Sequence, residues 1–205
     1  MKSYAQNKED QFIANYFGDH KGTLLSIGEN DGLTFSNVRA LLENGWYGHL
    51  VEPSGVFYAL KRLYIGNEKV QCYNVAIGLE QGIVDFYESG AHVPNGTDKA
   101  LVSTLNFNET QRWTNVDFHK IKVNVVPFAF LWEMTDFAQF DFISIDAEGY
   151  DLDILEQIDL AAVGCKCLII EHNSNKDLID AYKGYCRNFG LVGVLENAEN
   201  IIFIK

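Results

Sequence analysis

Short apolar runs that end in a polar turn and lead into an amphipathic segment recur along this chain. That order distinguishes an open parallel sheet covered by helices from a sandwich or a bundle. Residues 23–28 (TLLSIG) form a compact run and residues 29–33 a glycine-bearing turn. Residues 34–44 place Val38, Leu41 and Leu42 on one helical face before Gly45 stops it. A second strand over residues 47–51 ends at Glu52-Pro53-Ser54, where Pro53 cannot continue a ladder and Ser54 can cap a helix running to about Tyr64. A third strand is expected over residues 70–77, and residues 82–88 alternate like an exposed antiparallel strand. Residues 89–120 keep no steady period and collect Gly, Pro, Asn and Thr, which predicts a long excursion of the kind that serves as a lid or binding loop.

Order returns with a strand over residues 121–126, a short helix over 129–137, a strongly apolar strand over 140–146 and a helix over 150–158. A buried strand over 166–171 and a helix over 177–189 follow, and residues 191–195 with 201–204 read as an antiparallel hairpin. The expectation is an α/β fold in one domain over residues 1–205, with a helical N-terminal element over residues 1–22 and a mostly parallel sheet.

Composition narrows the partners. With 205 residues, 47% of them hydrophobic, the chain can bury a sizeable core. A formal net charge of -12 argues against nucleic acid, which needs clustered Lys and Arg to displace phosphate counterions, and favours a neutral or cationic small-molecule partner. No apolar run reaches the roughly 18 residues that cross a bilayer, and residues 1–10 are polar, so no membrane span or leader is expected and the cytoplasm is the expected address. Cys72, Cys165, Cys167 and Cys186 lack metal-type spacing and read as small buried hydrophobes.

In open α/β sheets ligands sit outside the carboxyl ends of the strands, so the residues that follow each apolar run carry the chemistry. Gly28-Glu29-Asn30-Asp31-Gly32 permits a tight turn and close approach of a ligand to backbone N–H groups, at the expected start of a helix. It lacks the third glycine of a dinucleotide fingerprint, so a nicotinamide oxidoreductase fits less well than the amino-acid tail of S-adenosylmethionine. Glu52 stands about 20 residues beyond the turn, where an acid accepts hydrogen bonds from ribose hydroxyls. Asn74 and Ala76 are placed to read an adenine edge. Asp146-Ala147-Glu148-Gly149-Tyr150-Asp151 brings carboxylates out of an apolar strand, and three uses stay open: orienting the cofactor, accepting a hydroxyl proton, or holding a divalent cation together with Glu171. No residue is assigned to metal on this reading. His172, ending the next strand, is the histidine expected to act as a base if one does. Gln6, Glu9 and Asp10 either flank the cleft or cap a first helix. Phe107, Trp113, Phe118 and Trp132 are expected mainly to pack.

These residues resemble the FkbM family of S-adenosylmethionine-dependent methyltransferases over nearly the whole chain. The similarity is carried by S-x-x-Q-x-x-E-D from Ser3 to Asp10, the glycine motif from Ser26 to Asn37 (SIGENDGLTFSN), Gly45-Trp46-Tyr47-Gly48 leading to Val51-Glu52-Pro53, residues 74–78 (NVAIG) and residues 144–150 (SIDAEGY). The resemblance implies a Rossmann-like class I methyltransferase fold, with a seven-stranded mostly parallel sheet and a C-terminal antiparallel hairpin. It implies O-methylation of a hydroxyl on a sugar or small natural-product-like acceptor. Gly28, Glu29, Asn30, Asp31, Ser36, Asn37, Glu52, Pro53, Asn74, Ala76 and Asp146 would surround the cofactor, and Asp146, His172 and Glu148 would serve the proton transfer. Many members carry an acid where Ser26 stands and Ala where Glu29 stands, so Glu29 is a candidate to meet the cofactor ammonium. Val102-Ser103-Thr104-Leu105 resembles a short family element bordering the site. A domain that binds the cofactor without catalysis is the competing reading.

Overall fold

The apolar runs become strands because each can be covered on both faces by the amphipathic segments that follow it. In the computed structural model, which describes residues 2–93, 96 and 98–205, the strands are β1 (Thr23–Ile27), β2 (Tyr47–Val51), β3 (Val70–Tyr73), β4 (Ala76–Ile77), β5 (Gly82–Ser89), β6 (Phe118–Val126), β7 (Phe142–Ile145), β8 (Cys167–Glu171), β9 (Val192–Glu196) and β10 (Asn200–Ile204). The main sheet has seven strands in the order β3-β2-β1-β7-β8-β10-β9. Neighbours from β3 through β8 pair in parallel, and β10 is antiparallel to both β8 and β9. A three-stranded sheet, β4-β6-β5, stands apart from it.

Period-two alternation sorts the core. Leu24, Leu50, Phe142, Cys167 and Ile169 face one side, where Ile13 of α1 (Glu9–Phe17), Leu41 and Leu42 of α2 (Arg39–Glu43), Leu60 of α3 (Phe57–Leu63) and Trp46 pack. Leu25, Ile27, Ile143, Ile145, Leu168 and Ile170 face the other, against Leu131 of α4 (Phe128–Met134), Ile154 and Leu155 of α5 (Asp151–Leu155) and Tyr182 of α6 (Lys176–Arg187).

Three expectations are corrected. The helix expected over residues 34–44 shortens to α2, because Asp31 accepts the N–H groups of Leu33 (2.8 Å) and Thr34 (2.7 Å) and Ser36 Oγ accepts that of Arg39 (3.0 Å), so the intervening chain forms capped turns instead. Its N-terminus therefore does not stand at the glycine turn. The third strand divides into β3 and β4, and β4 leaves the main sheet to pair with β6. At the break, Asn74 Nδ2 donates to the carbonyls of Glu52 (2.8 Å) and Pro53 (3.2 Å). The excursion over residues 89–120 contains a 3-10 helix (Phe107–Arg112), a bridge from Tyr87 to Thr104 and the first residues of β6; Pro94, Asn95 and Thr97 within it lie outside the described residues. All four cysteines are free thiols, three of them buried. Among the described residues no helix is long and apolar enough to cross a membrane.

Candidate active site

The carboxyl ends of β1, β2 and β7 are drawn together by backbone hydrogen bonds. Gly28 N and Glu29 N both donate to Val51 O (2.9 and 3.1 Å), and Asp146 N donates to Ile27 O (3.0 Å). Gly28, at φ 83°, is required on two counts: that region favours glycine, and a Cβ there would lie 1.7 Å from the Asp146 carbonyl oxygen.

Two adjoining cavities open at this junction and share Gly28, Asn30, Leu101, Asp146 and Glu148. The first, about 530 Å³ of empty space, is largely apolar beyond Glu52 and Pro53, with Val75, Ala76, Ile77 and Phe86 in its wall. The second, about 1010 Å³, is polar and is lined by Ser26, Glu29, Ser36, Asn37 and Glu171, with Gln6 from the N-terminal segment and His92 and Trp113 from the excursion.

Glu52 is buried and fixed by two bonds, Asn30 N to Oε2 (2.9 Å) and Ser54 N to Oε1 (2.8 Å); burial pushes its carboxyl above the ordinary range, partly offset by these donors. Glu29 is buried too. The hydroxyls of Ser26 and Ser36 each donate to it at 2.6 Å, and burial pushes it up to about 7. The role of Ser26 was not legible in the sequence; with Ser36 it is the residue that holds the Glu29 carboxyl in place. Asp31 lines neither cavity, since its carboxylate is consumed in the turn to Thr34, whose hydroxyl also donates to it (2.9 Å). Asn74 acts as a bracket on the backbone of Glu52 and Pro53 rather than as a wall of either cavity, whereas Ala76 faces the apolar one.

On the β7 side, Asp146 is half-buried at the junction; burial, then the nearby Asp151, pushes its carboxyl up to about 8. Asp151 is the clamp of this turn, accepting Ala147 N (2.9 Å) and Gly149 N (3.0 Å). Glu148, at φ 46°, is only 6% exposed, and its Oε2 is buried with no hydrogen-bond partner. Thr104 of the excursion donates to the Glu148 carbonyl (2.7 Å), a contact between segments far apart in the chain that no local pattern announces. Glu171, at the end of β8, brings a carboxylate oxygen within 4.8 Å of those of Asp146 and Glu148. His172 lies outside both cavities, in a recess with Glu109, Arg112 and Asp151. Its Nδ1 accepts Ser174 N–H (3.0 Å), which leaves the proton of the neutral ring on a buried, unpartnered Nε2. Glu9 and Asp10 are buried in the N-terminal cap: Glu9 accepts from Asn197 (2.8 Å) and Asn200 (3.1 Å), Asp10 from Ser3 (2.6 Å) and Tyr4 N (2.7 Å).

Residues 26–190, which include the glycine junction, the buried acid after β2 and the acidic end of β7, match the family model of the methyltransferase FkbM domain. The chain belongs to the FkbM methyltransferase family. No curated protein matches its sequence. Among solved structures, the FkbM methyltransferase of Methylobacillus flagellatus KT aligns with a TM-score of 0.55 at 13% identity, over 91% of this chain and 44% of that one. The present chain thus spans less than half of that relative. A ribosomal protein L11 methylase from Lactobacillus delbrueckii subsp. bulgaricus aligns with a TM-score of 0.51 at 9% identity, over 97% of this chain and 77% of that one. A precorrin-6y C5,15-methyltransferase from Geobacter metallireducens GS-15 gives 0.50 at 9%, over 99% and 89%. At these identities the likeness is one of fold: this FkbM-family chain has the class I Rossmann-like methyltransferase fold.

Proposed function

We propose that this FkbM-family chain binds S-adenosylmethionine across the two cavities and methylates a hydroxyl of a sugar or small natural-product-like acceptor. The observation that carries the reading is the meeting of an apolar slot closed by Glu52 with an acid-lined polar cavity at Gly28 and Asp146. The free lone pairs of the pinned Glu52 carboxylate suit ribose hydroxyls, and the slot walled by Val75, Ala76 and Ile77 suits a purine. Glu29, held by two serine hydroxyls, suits the ammonium of the amino-acid tail beside Ser36 and Asn37.

The bound cofactor supplies a methyl group on a sulfonium, a good leaving group. The chain's task is to align the acceptor and exclude water. Leu101 and Val102 with Trp113 wall the polar cavity on the excursion side, and Asp146 stands at the junction with its carboxylate turned to the space an acceptor would share. Because its carboxyl is pushed up to about 8, its ionised form is a basic carboxylate suited to receive a hydroxyl proton, and that form grows as pH rises toward 8. Glu148, from the same turn, brings a second carboxylate within 4.8 Å of Asp146 and adds to the acidity of the junction. His172, with Nδ1 occupied by Ser174 N–H, is better suited to donate a hydrogen bond than to accept a proton. A net charge of -12 favours neutral or cationic acceptors.

Titration calorimetry with S-adenosylhomocysteine tests the cofactor half: one saturable site is expected, weakened at least about tenfold by Glu52→Gln through loss of a charged hydrogen-bond acceptor. Absence of binding to the folded wild-type chain would overturn it. For the acceptor half, methyl transfer to a panel of sugars and hydroxylated small molecules is measured with Asp146→Asn, which is expected to lower kcat while S-adenosylhomocysteine still binds.

A further inference from the structure

The acids in and around the cleft divide into two groups. Glu29, Glu52, Asp31 and Asp151 each have both oxygens satisfied by hydroxyl or backbone donors. Asp146, Glu148 and Glu171 have none: among the described residues no side chain or backbone N–H donates to any of their carboxylate oxygens. No Lys, Arg or His lies within ion-pairing distance of them either. Arg112, the cation of the neighbouring recess, is committed to Glu109 at 2.9 Å. Yet one oxygen from each of the three converges within 4.8 Å, and Glu148, a wall residue of the polar cavity that is only 6% exposed, keeps a buried Oε2 with no partner beside them. Leaving three carboxylates together without donors is costly unless a positive charge is shared among them.

We propose that Asp146, Glu148 and Glu171 bind a divalent cation at the junction of the two cavities. The donor set is oxygen only, and His172 lines a different recess with its Nδ1 taken by Ser174 N–H, so the chemistry selects a hard ion of the Mg2+ or Mn2+ class over zinc. The ligands come from adjacent, directly paired strands, β7 and β8, and from the turn clamped by Asp151, so the spacing is set by the rigid sheet. Three protein ligands leave coordination positions open toward the cavity, where an acceptor hydroxyl can take one. The inference goes beyond the cofactor reading and adds to it a way of holding the acceptor oxygen.

The test uses Mn2+ as the probe, in titration calorimetry and by loss of the free-ion EPR signal, on the whole chain after EDTA treatment. One saturable site is expected, weakened at least about tenfold by Glu148→Gln and by Glu171→Gln, a loss of the size that disturbing a metal site brings. Asp85→Asn, an exposed acid paired with Lys120 and Lys122 on the small sheet, is expected to leave binding unchanged and so separates the site from diffuse attraction to an acidic protein. Circular dichroism checks that each variant is folded. Mn2+ binding that is absent, non-saturable or equally reduced by Asp85→Asn overturns the proposal, even where S-adenosylhomocysteine binds normally. If instead Glu148→Gln and Glu171→Gln weaken S-adenosylhomocysteine with no Mn2+ site present, the three acids serve the cofactor ammonium and the metal site is refuted. Saturable Mn2+ binding with no S-adenosylhomocysteine binding would sustain the site and overturn the cofactor reading.

Discussion

Glu29 carries the clearest pH signature at the scale of single residues. Burial raises its carboxyl from 4.5 to about 7, with Asp31 and Glu52 adding to the shift and the Ser26 and Ser36 hydroxyls opposing it. The folded chain therefore holds a proton that the unfolded chain gives up. The stability linked to that proton is complete below 4.5 and is lost as pH rises through 7. Glu29→Gln is expected to remove this decline, gaining on the order of 1–3 kcal/mol at pH 8 relative to pH 5 in urea denaturation. An ammonium in the site reverses the preference of the carboxyl, so S-adenosylhomocysteine affinity in the wild type is expected to rise as pH climbs toward 7, with proton release seen as a buffer-dependent heat. Asp31 and Glu52 differ in the opposite sense from their similar appearance in sequence. Asp31→Ala is expected to cost about 1 kcal/mol of stability as a lost turn cap and to change S-adenosylhomocysteine affinity little, in contrast to Glu52→Gln.

At the scale of elements, what matters is how the strand ends and the excursion are fastened. Gly28→Ala drives a methyl group into the backbone of Asp146, just beyond β7, at a φ that favours glycine. A loss of about 3 kcal/mol or more is expected, from steric strain together with backbone strain, measured as a fall in the denaturation midpoint and accompanied by loss of S-adenosylhomocysteine binding. Thr104 ties the excursion to the site: its hydroxyl donates to the Glu148 carbonyl and accepts Asn106 N–H (2.8 Å). Thr104→Val is expected to cost about 1–2 kcal/mol for a buried bond left unmade and to quicken proteolysis within residues 89–120. On the far side of the cleft, Glu9 joins the N-terminal segment to the β9–β10 hairpin through Asn197 and Asn200, which places Gln6 at the polar cavity.

For the molecule as a whole, the dominant quantity is charge. A net charge of -12 spread over 205 residues repels itself, and the carboxylates of the cleft concentrate that repulsion. Raising monovalent salt from roughly 20 to 200 mM, which shortens the screening length from about 20 to 7 Å, is expected to raise Tm. Magnesium at the same ionic strength is expected to raise it further in the wild type, and by less in Glu171→Gln. A Tm that depends on ionic strength alone would count against specific cation binding.

The seven-stranded sheet was legible in the sequence because buried parallel strands must be apolar throughout, and runs such as those of β1, β7 and β8 admit few other uses. The strand-end acids were legible for the same reason, since an apolar run brings whatever follows it to the edge of the sheet. What the sequence could not show is where a polar side chain spends its hydrogen bonds. Asp31 and Glu52 both follow strands, but one turns back on its own loop while the other is held facing a cavity. Asn74 breaks one expected strand into two by bonding across to the end of β2. The convergence of Asp146, Glu148 and Glu171 joins residues from two strands whose pairing is non-local, and the absence of donors around them is a property of everything that surrounds the cleft. Local pattern determined which residues reach the cleft; only the tertiary structure decided which of them remain free to bind, because that depends on neighbours brought together by folding.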